Sequence, residues 1–432
     1  MTASRPWALR AGVVAVVVLL PFGDTSVPVL GMRLVHVAML VPAALALHQV
    51  VVRGARIPGS VVLIGCGLGL VSGVVSGADG VDPSRSVPLV VGSAITTCYA
   101  LAVALAHRPG EDLAGLELLV IVGGVTAASA LVSVGRLQAA EAGNVVNGRL
   151  TGPFSQPNEL GIFCAALLPV ALACVVTSSS WRRAALLSAA TASLAVACVL
   201  SMSRGAWIGA LASFVCLAAC EPALRRALLA IGLAAAAICG AALVAPVGVP
   251  VLGVVGARIR TLGDPTQNQY DDRPLVWAEA WRQAADHPWL GVGPGGFRSA
   301  ATDSVSAVAA QPPEHPHNLL LTVLADRGVV GAALGIVVVA GCVLAVRRHV
   351  LSPQQADPAV RVLRIRSIAV IAGLAAVAVH GGFDMPLRNP IVSGLVWTLL
   401  GLAVVAETVP LTRYAAGHDT TTNRRKWVPV TC

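Results

Sequence analysis

The stretch HPHNLLLTVLADRGVVG, residues 315–331, sets two histidines directly before an apolar run that continues to residue 346. About 20 apolar residues suffice for a helix to cross a ~30 Å hydrocarbon core, so this run reads as a transmembrane helix with titratable groups at its entrance. Runs of the same kind recur on both sides of it. They cover 8–22, 33–52, 57–76, 86–106, 113–134, 158–177, 184–203, 205–220, 227–249, 317–346, 365–382 and 391–410, twelve in all. Of the 432 residues 56% are hydrophobic and 12% charged, with a mean hydropathy of +0.79, which is outside the usual range of soluble domains. The expectation is an all-α integral membrane protein, a single polytopic domain over residues 1–432.

Basic residues orient it, because Lys and Arg are retained on the cytoplasmic side. With a cytoplasmic N-terminus, Arg53, Arg56, Arg108, Arg182, Arg183, Arg225, Arg226, Arg347, Arg348, Arg361, Arg364 and Arg366 all fall in inner segments. Both termini are then inside, 411–432 is a cytoplasmic tail, and 250–316 is one long extracytoplasmic loop. Topology thus accounts for the net charge of +9, and no basic, aromatic-interleaved patch points to nucleic acid. Nine of the ten cysteines lie in spans and the tenth is Cys432, with no CxxC pair, so neither a disulfide framework nor a zinc site is expected. The first apolar run has no small-residue cleavage site and reads as a retained helix.

In this orientation the unusual polar residues gather at the outer rim. NGRLTGPFSQPNELG (147–161) brings Arg149, Gln156, Asn158 and Glu159, and SMSRGAW (201–207) puts Arg204 between two helices. The long loop contributes YDDRPLVWAEAWRQAADHPWLGVGPGGF (270–297), and HPHN (315–318) and HGGFDMPLRNP (380–390) complete the set. Asp272 before Arg273 and Pro274 resembles an N-cap with proline in the first turn. A helix follows, with Trp277 and Trp281 on the face of Arg273, and ends near Asp286. Tryptophan suits the membrane interface, and the helix start beside Arg273 suits phosphate. Plainer readings stand beside these: Arg204 as an interfacial anchor, Arg273 as the ion partner of Asp271 or Asp272, and His315 and His380 as structural. GVGPGG reads as a turn, because it lacks the lysine and the strand-to-helix setting of a phosphate loop.

Together these segments resemble the O-antigen ligase family of bacterial membrane glycosyltransferases. HNLLLTVLADRGVVG fits that family's His-Asn, nine residues, Gly, two residues, Gly pattern; GRLTGPFSQPNELG, SRGAW, the RPLVWAEAW to HPWLGVGPGGF block and HGGFDMPLRNP are similar to its other motifs, in order. The resemblance spans roughly residues 145–400 and implies a GT-C-like fold of about twelve transmembrane helices, with short helices in the outer loop. It also implies an activity: moving a glycan from a polyprenyl (undecaprenyl-type) pyrophosphate carrier to an acceptor hydroxyl at the outer face of the cytoplasmic membrane, without metal, cofactor or nucleotide sugar. By carry-over His317 is the catalytic base, and Arg204 and Arg273 bind pyrophosphate. Arg149, Asn158, Asn318, His380 and Asp384 are expected to bind substrate alongside them.

The chemistry suits those roles. Pyrophosphate leaves readily once its developing charge is held, which fixed arginines in a dry site do well. A hydroxyl must lose its proton as it attacks, and histidine titrates in the right range. Direct displacement inverts the anomeric centre and needs no carboxylate nucleophile. Glu159, Glu314, His315 and Asp384 are rival bases, and Arg149 or Arg298 could replace a phosphate ligand. A polymerase of carrier-linked repeat units is the alternative within the same chemistry. A lipid-linked glycan flippase is the alternative from another class, although transporters place their polar residues near the midplane, often in paired repeats.

Overall fold

A computed structural model describes residues 7–28, 32–107, 113, 115–136, 145–146, 148–244, 250–260, 273–301, 313–351 and 358–408. The helices are α1 (Trp7–Leu19), α2 (Leu34–Val51), α3 (Val61–Asp79), α4 (Pro83–Ala106), α5 (Gly115–Leu131), α6 (Pro157–Val176) and α7 (Trp181–Leu200). They continue with α8 (Arg204–Cys220), α9 (Arg225–Val244), α10 (Pro250–Arg260), α11 (Arg273–Asp286), α12 (Leu319–Val350), α13 (Pro358–Gly381) and α14 (Pro390–Thr408). Two antiparallel two-residue pairs complete the list: β1 (Ser26–Val27) with β2 (Met32–Arg33), and β3 (Val145–Val146) with β4 (Arg149–Leu150). The tail expected at 411–432, and Asp271 and Asp272, lie outside the described residues.

Among the described residues nine helices are long and apolar enough to cross a membrane. The other three expected spans, 8–22, 113–134 and 205–220, are apolar helices too, at Trp7–Phe22, Gly115–Leu131 and Arg204–Cys220, but shorter than that measure. The chain is a helical membrane protein. In hydrocarbon every backbone group must be satisfied within its own segment, which is why apolar runs of this length become helices.

Helices α6 and α14 each bury 78% of their apolar window, while α9 buries 11%. The first two form the interior and the last presents its Ala, Leu and Ile side chains outward. Close approach in the interior depends on small residues, as expected where lipid tails are as apolar as leucine. A Cβ on Gly373 of α13 would fall 2.4 Å from the Ala166 carbonyl of α6, and one on Gly209 of α8 would fall 2.7 Å from the Ala376 carbonyl of α13.

One boundary expectation is corrected. Arg364 and Arg366 were expected in a connection, but α13 begins at Pro358 and carries both inside the bundle. Arg366 pairs with Glu117 of α5 at 2.6 Å and donates to Thr177 Oγ1 at 3.0 Å, and Arg364 pairs with Glu221 at 3.1 Å. Desolvating an arginine is tolerable only with such partners, and hydropathy counted along the chain does not register them. At the start of α3, the Glu407 carboxylate accepts from Ser60 Oγ at 2.5 Å and from the Val61 amide at 2.9 Å. That satisfies helix-end donors with a negative charge.

Helix α12 is broken at Gly328, where φ is 61° and ψ −163°. The segment after α11 fills the break: Val329 N–H donates to Pro288 O at 2.8 Å, Val292 N–H to Ala325 O at 2.8 Å, and Gly293 N–H to Asp326 O at 3.0 Å. The GVGPGG amides are therefore spent inside the fold, those of Val292, Gly293 and Gly295 on α12 and those of Gly291 and Gly296 within their own turn, which agrees with the turn reading and removes the phosphate-cradle one. Val276, Ala280 and Phe297 also pack with Leu321 and Ala325, so α11 and the first half of α12 form one unit. Gly328→Ala is expected to destabilise the protein by at least about 2 kcal/mol, because the backbone conformation excludes a side chain and the new Cβ would meet the Trp289 carbonyl at 2.3 Å. The readout is thermal unfolding in detergent, and an unchanged Tm would sink this account of the break.

Candidate active site

Five chain segments bring their polar side chains to one end of the bundle: the β3–β4 hairpin leading into α6, the turn between α7 and α8, the start of α11, the approach to α12 and the turn after α13. His317 stands at the centre. It occupies the left-handed region with φ 51°, a conformation that costs a bulky residue roughly 1–3 kcal/mol and clusters at functional sites. Asn318 locks the residue that follows: its Oδ1 accepts from the Leu321 amide at 3.0 Å as N-cap of α12, and its Nδ2 donates to Gly382 O at 2.9 Å. Asn318 thus braces α12 against the turn after α13.

The His317 ring is one end of a relay. Its Nδ1 lies 3.4 Å from Asp384 Oδ1, long for a hydrogen bond but within the slack of unliganded sites. Asp384 Oδ2 accepts from Asn158 Nδ2 at 2.8 Å, and Asn158 Oδ1 accepts from Arg149 Nη2 at 2.7 Å. Arg149 Nε in turn donates to Ser201 O at 2.9 Å, in the turn before Arg204. Burial alone would raise the Asp384 carboxyl, but the hydrogen bonds from His317, Asn158 and the Met385 amide outweigh it and hold it below the ordinary carboxylate range. Asp384 is therefore ionised at any working pH. With Nδ1–H directed to Asp384, Nε2 is the ring nitrogen left to accept a proton.

Around the turn between α7 and α8 the charge is positive. Burial, then Arg258, Arg204 and Arg273 in order of effect, push the Arg149 guanidinium down to about 10 against the opposing pull of Asp384. Four arginines are thus close enough to repel one another. Arg258 was not singled out in the sequence. It arrives on α10, which folds back on α9, and its Nε donates to Met202 O at 3.2 Å. Its only signal was a basic last turn on a short amphipathic segment. His380 is buried, with its ring against Gly205, where a Cβ would fall 3.2 Å from Cδ2. The imidazole thereby abuts the first turn of α8.

His315 lies beside His317, with ring centroids 4.4 Å apart. Its Nδ1 accepts the His317 amide at 3.2 Å, so the ring proton sits on Nε2, and Arg388 Nη1 at 3.4 Å is a neighbour there. Burial chiefly, with His317 and Arg388 adding to it, pushes His315 down to about 4. A neutral His315 excludes it as a group charged near neutrality. The unfolded chain binds a proton near 6.5 and the folded one only near 4, so stability is lost as pH falls through that window. His315→Gln is expected to flatten the fall in Tm between pH 6.5 and 4, measured beside the wild type; parallel curves would overturn the reading.

A cavity of about 150 Å³ opens here, lined by Arg273, His317, His380 and Asp384 together with Gln156, Asn158, Glu159, His315 and Arg388. Of the rival bases, Glu314 is held outside it by Arg85 at 3.1 Å and by Arg298, which also removes Arg298 from the phosphate candidates. Glu159 is tied at Oε2 by Ser155, the Gln156 amide and Asn389. Helix α11, described over Arg273–Asp286, ends at Asp286 as its sequence led one to expect, while the N-cap expected at Asp272 lies outside the described residues.

No curated protein matches the chain. Residues 184–336 match the family model described as O-Antigen ligase, a range that takes in Arg204, Arg258, Arg273, His317 and Asn318 and leaves Arg149, Asn158, His380 and Asp384 outside it. Over residues 184–336, therefore, this membrane protein is similar to the O-antigen ligase family.

Proposed function

We propose that the protein transfers a glycan from a polyprenyl (undecaprenyl-type) pyrophosphate carrier to the hydroxyl of a second glycan or lipid-glycan, at the outer face of the cytoplasmic membrane. The observation that carries this reading is the His317–Asp384 pair in a cavity that also holds Arg273. Nε2 of His317 takes the acceptor proton as the oxygen attacks the anomeric carbon. The bond from that carbon to the carrier phosphate breaks, and the electron pair leaves with pyrophosphate. Arg273 and Arg204, with Arg258 adjoining, stabilise the departing charge. Asp384 orients the ring and steadies the imidazolium, as a carboxylate does behind a catalytic histidine. Asn158 and Arg149 hold Asp384 in turn, so their part is to position the base. Attack and departure on opposite faces invert the anomeric centre.

Product analysis in liposomes tests the reading. Purified protein receives labelled carrier-pyrophosphate glycan with and without a glycolipid extract of the envelope. Label passing in one block to the extract supports a ligase. A ladder of carrier-linked lengths without extract makes it a polymerase. Movement of intact carrier across the bilayer with no glycosidic product overturns the proposal in favour of transport.

A further inference from the structure

Two sets of polar and charged groups line or border the cavity, and the proposed transfer uses one. The first is cationic: Arg273, with Arg149, Arg204 and Arg258 behind it. The second is mixed and comprises Glu159, Arg388 and Gln156. Arg388 is close enough to Glu159 for their charges to interact, so this side carries little net charge.

The second set also has open hydrogen-bonding capacity. Three donors converge on Glu159 Oε2, and among the described residues none donates to Oε1. Arg388 Nη1 only adjoins the Nε2–H of His315 at 3.4 Å, and among the described residues no acceptor takes its N–H groups. Gln156, exposed at the start of α6, adds an amide that both donates and accepts. A carboxylate oxygen, a guanidinium edge and an amide around one small cavity match the hydroxyls of a sugar, which donate and accept at once. A pyrophosphate would instead meet the Glu159 carboxylate.

Resting on the proposed transfer, we infer that Glu159, Arg388 and Gln156 form the subsite for the accepting sugar, and that this sugar carries no phosphate next to its reacting hydroxyl. Inverting displacement demands the same division, because the attacking oxygen must enter away from the leaving pyrophosphate. If the arginine cluster holds the carrier, the Glu159–Arg388 side is what remains for the acceptor. Asn389 holds Glu159 at 3.0 Å and begins the turn into α14 by accepting from the Ile391 amide at 2.9 Å, so the subsite is built on rigid elements.

The experiment measures initial rates in liposomes for the wild type, Arg388→Ala and Gln156→Ala, titrating envelope glycolipid extract at fixed donor and then donor at fixed extract. Each substitution is expected to raise the half-saturating extract concentration about tenfold, the loss of one charged or well-placed hydrogen bond, with donor half-saturation within about twofold of the wild type. Inorganic pyrophosphate is expected to compete with donor and not with extract. Gln156→Ala, at the exposed N-cap of α6, is a second variant beside Arg388→Ala, and the Tm of both is read with the rates to separate misfolding from loss of binding. Unchanged extract saturation in both variants, a rise in donor saturation instead, or competition of pyrophosphate with extract overturns this inference alone. Absence of transfer by the wild type overturns the proposed function and the subsite with it.

Discussion

Replacing His317 by alanine is expected to lower the transfer rate by about 10² to 10⁴, the range a positioned general base contributes. The loss should fall on kcat and leave donor saturation nearly unchanged, because the proposed transfer gives the carrier to the arginines and not to the histidine. The ring is partly exposed, and its contacts among the described residues are the hydrogen bond to Asp384 and the edge contact with His315. Alanine also tolerates φ 51° poorly, so His317→Asn serves as a second variant that accepts the left-handed backbone while lacking a comparable base. Equal losses in both assign the effect to the base. Transfer at the wild-type rate in either would remove His317 from that role and bring Glu159 or Asp384, the rival carboxylates lining the cavity, into its place.

Arg273→Ala is expected to cost about 10² to 10³ in kcat/KM, comparable to deleting one donor aimed at developing charge. Arg273 opens the described part of α11 and lines the cavity, where in the proposed transfer its guanidinium meets the leaving pyrophosphate. Arg273→Lys keeps the charge and loses the planar fork, and it should recover only part of the activity. Since α11 docks through Val276, Ala280 and Phe297, the thermal stability of both variants should stay near the wild type. A lost Tm with proportionate loss of transfer would make Arg273 a structural residue, and undiminished transfer would hand the pyrophosphate to Arg204 and Arg258.

Much of the architecture was legible along the chain. The run after His317 became α12, the arginine turn at 201–204 fell between α7 and α8, and the helix from Arg273 to Asp286 ended where its Pro and Gly signals put it. These features are local, written in hydropathy, capping and turn residues. Arg258 was not legible, because its role depends on α10 folding back on α9, a contact with no periodicity to betray it. The break at Gly328 was equally hidden. A glycine in an apolar run reads as packing, and only the loop from Pro288 to Gly293 lodged against it reveals a satisfied gap.

The sequence by itself determined the membrane-protein class, most of the helices and the motifs that contain His317, Arg204 and Arg273, since each follows from the cost of placing a polar group in hydrocarbon or from residues a few positions apart. Only the tertiary structure decided how those motifs divide the work. It joined His317 to Asp384, Asn158 and Arg149, positions up to 235 residues apart in the chain, held Glu314 and Arg298 outside the cavity, and set Glu159 and Arg388 beside each other. Hydrogen bonds and charge pairs act over a few ångströms in space, and a linear sequence carries no measure of that distance.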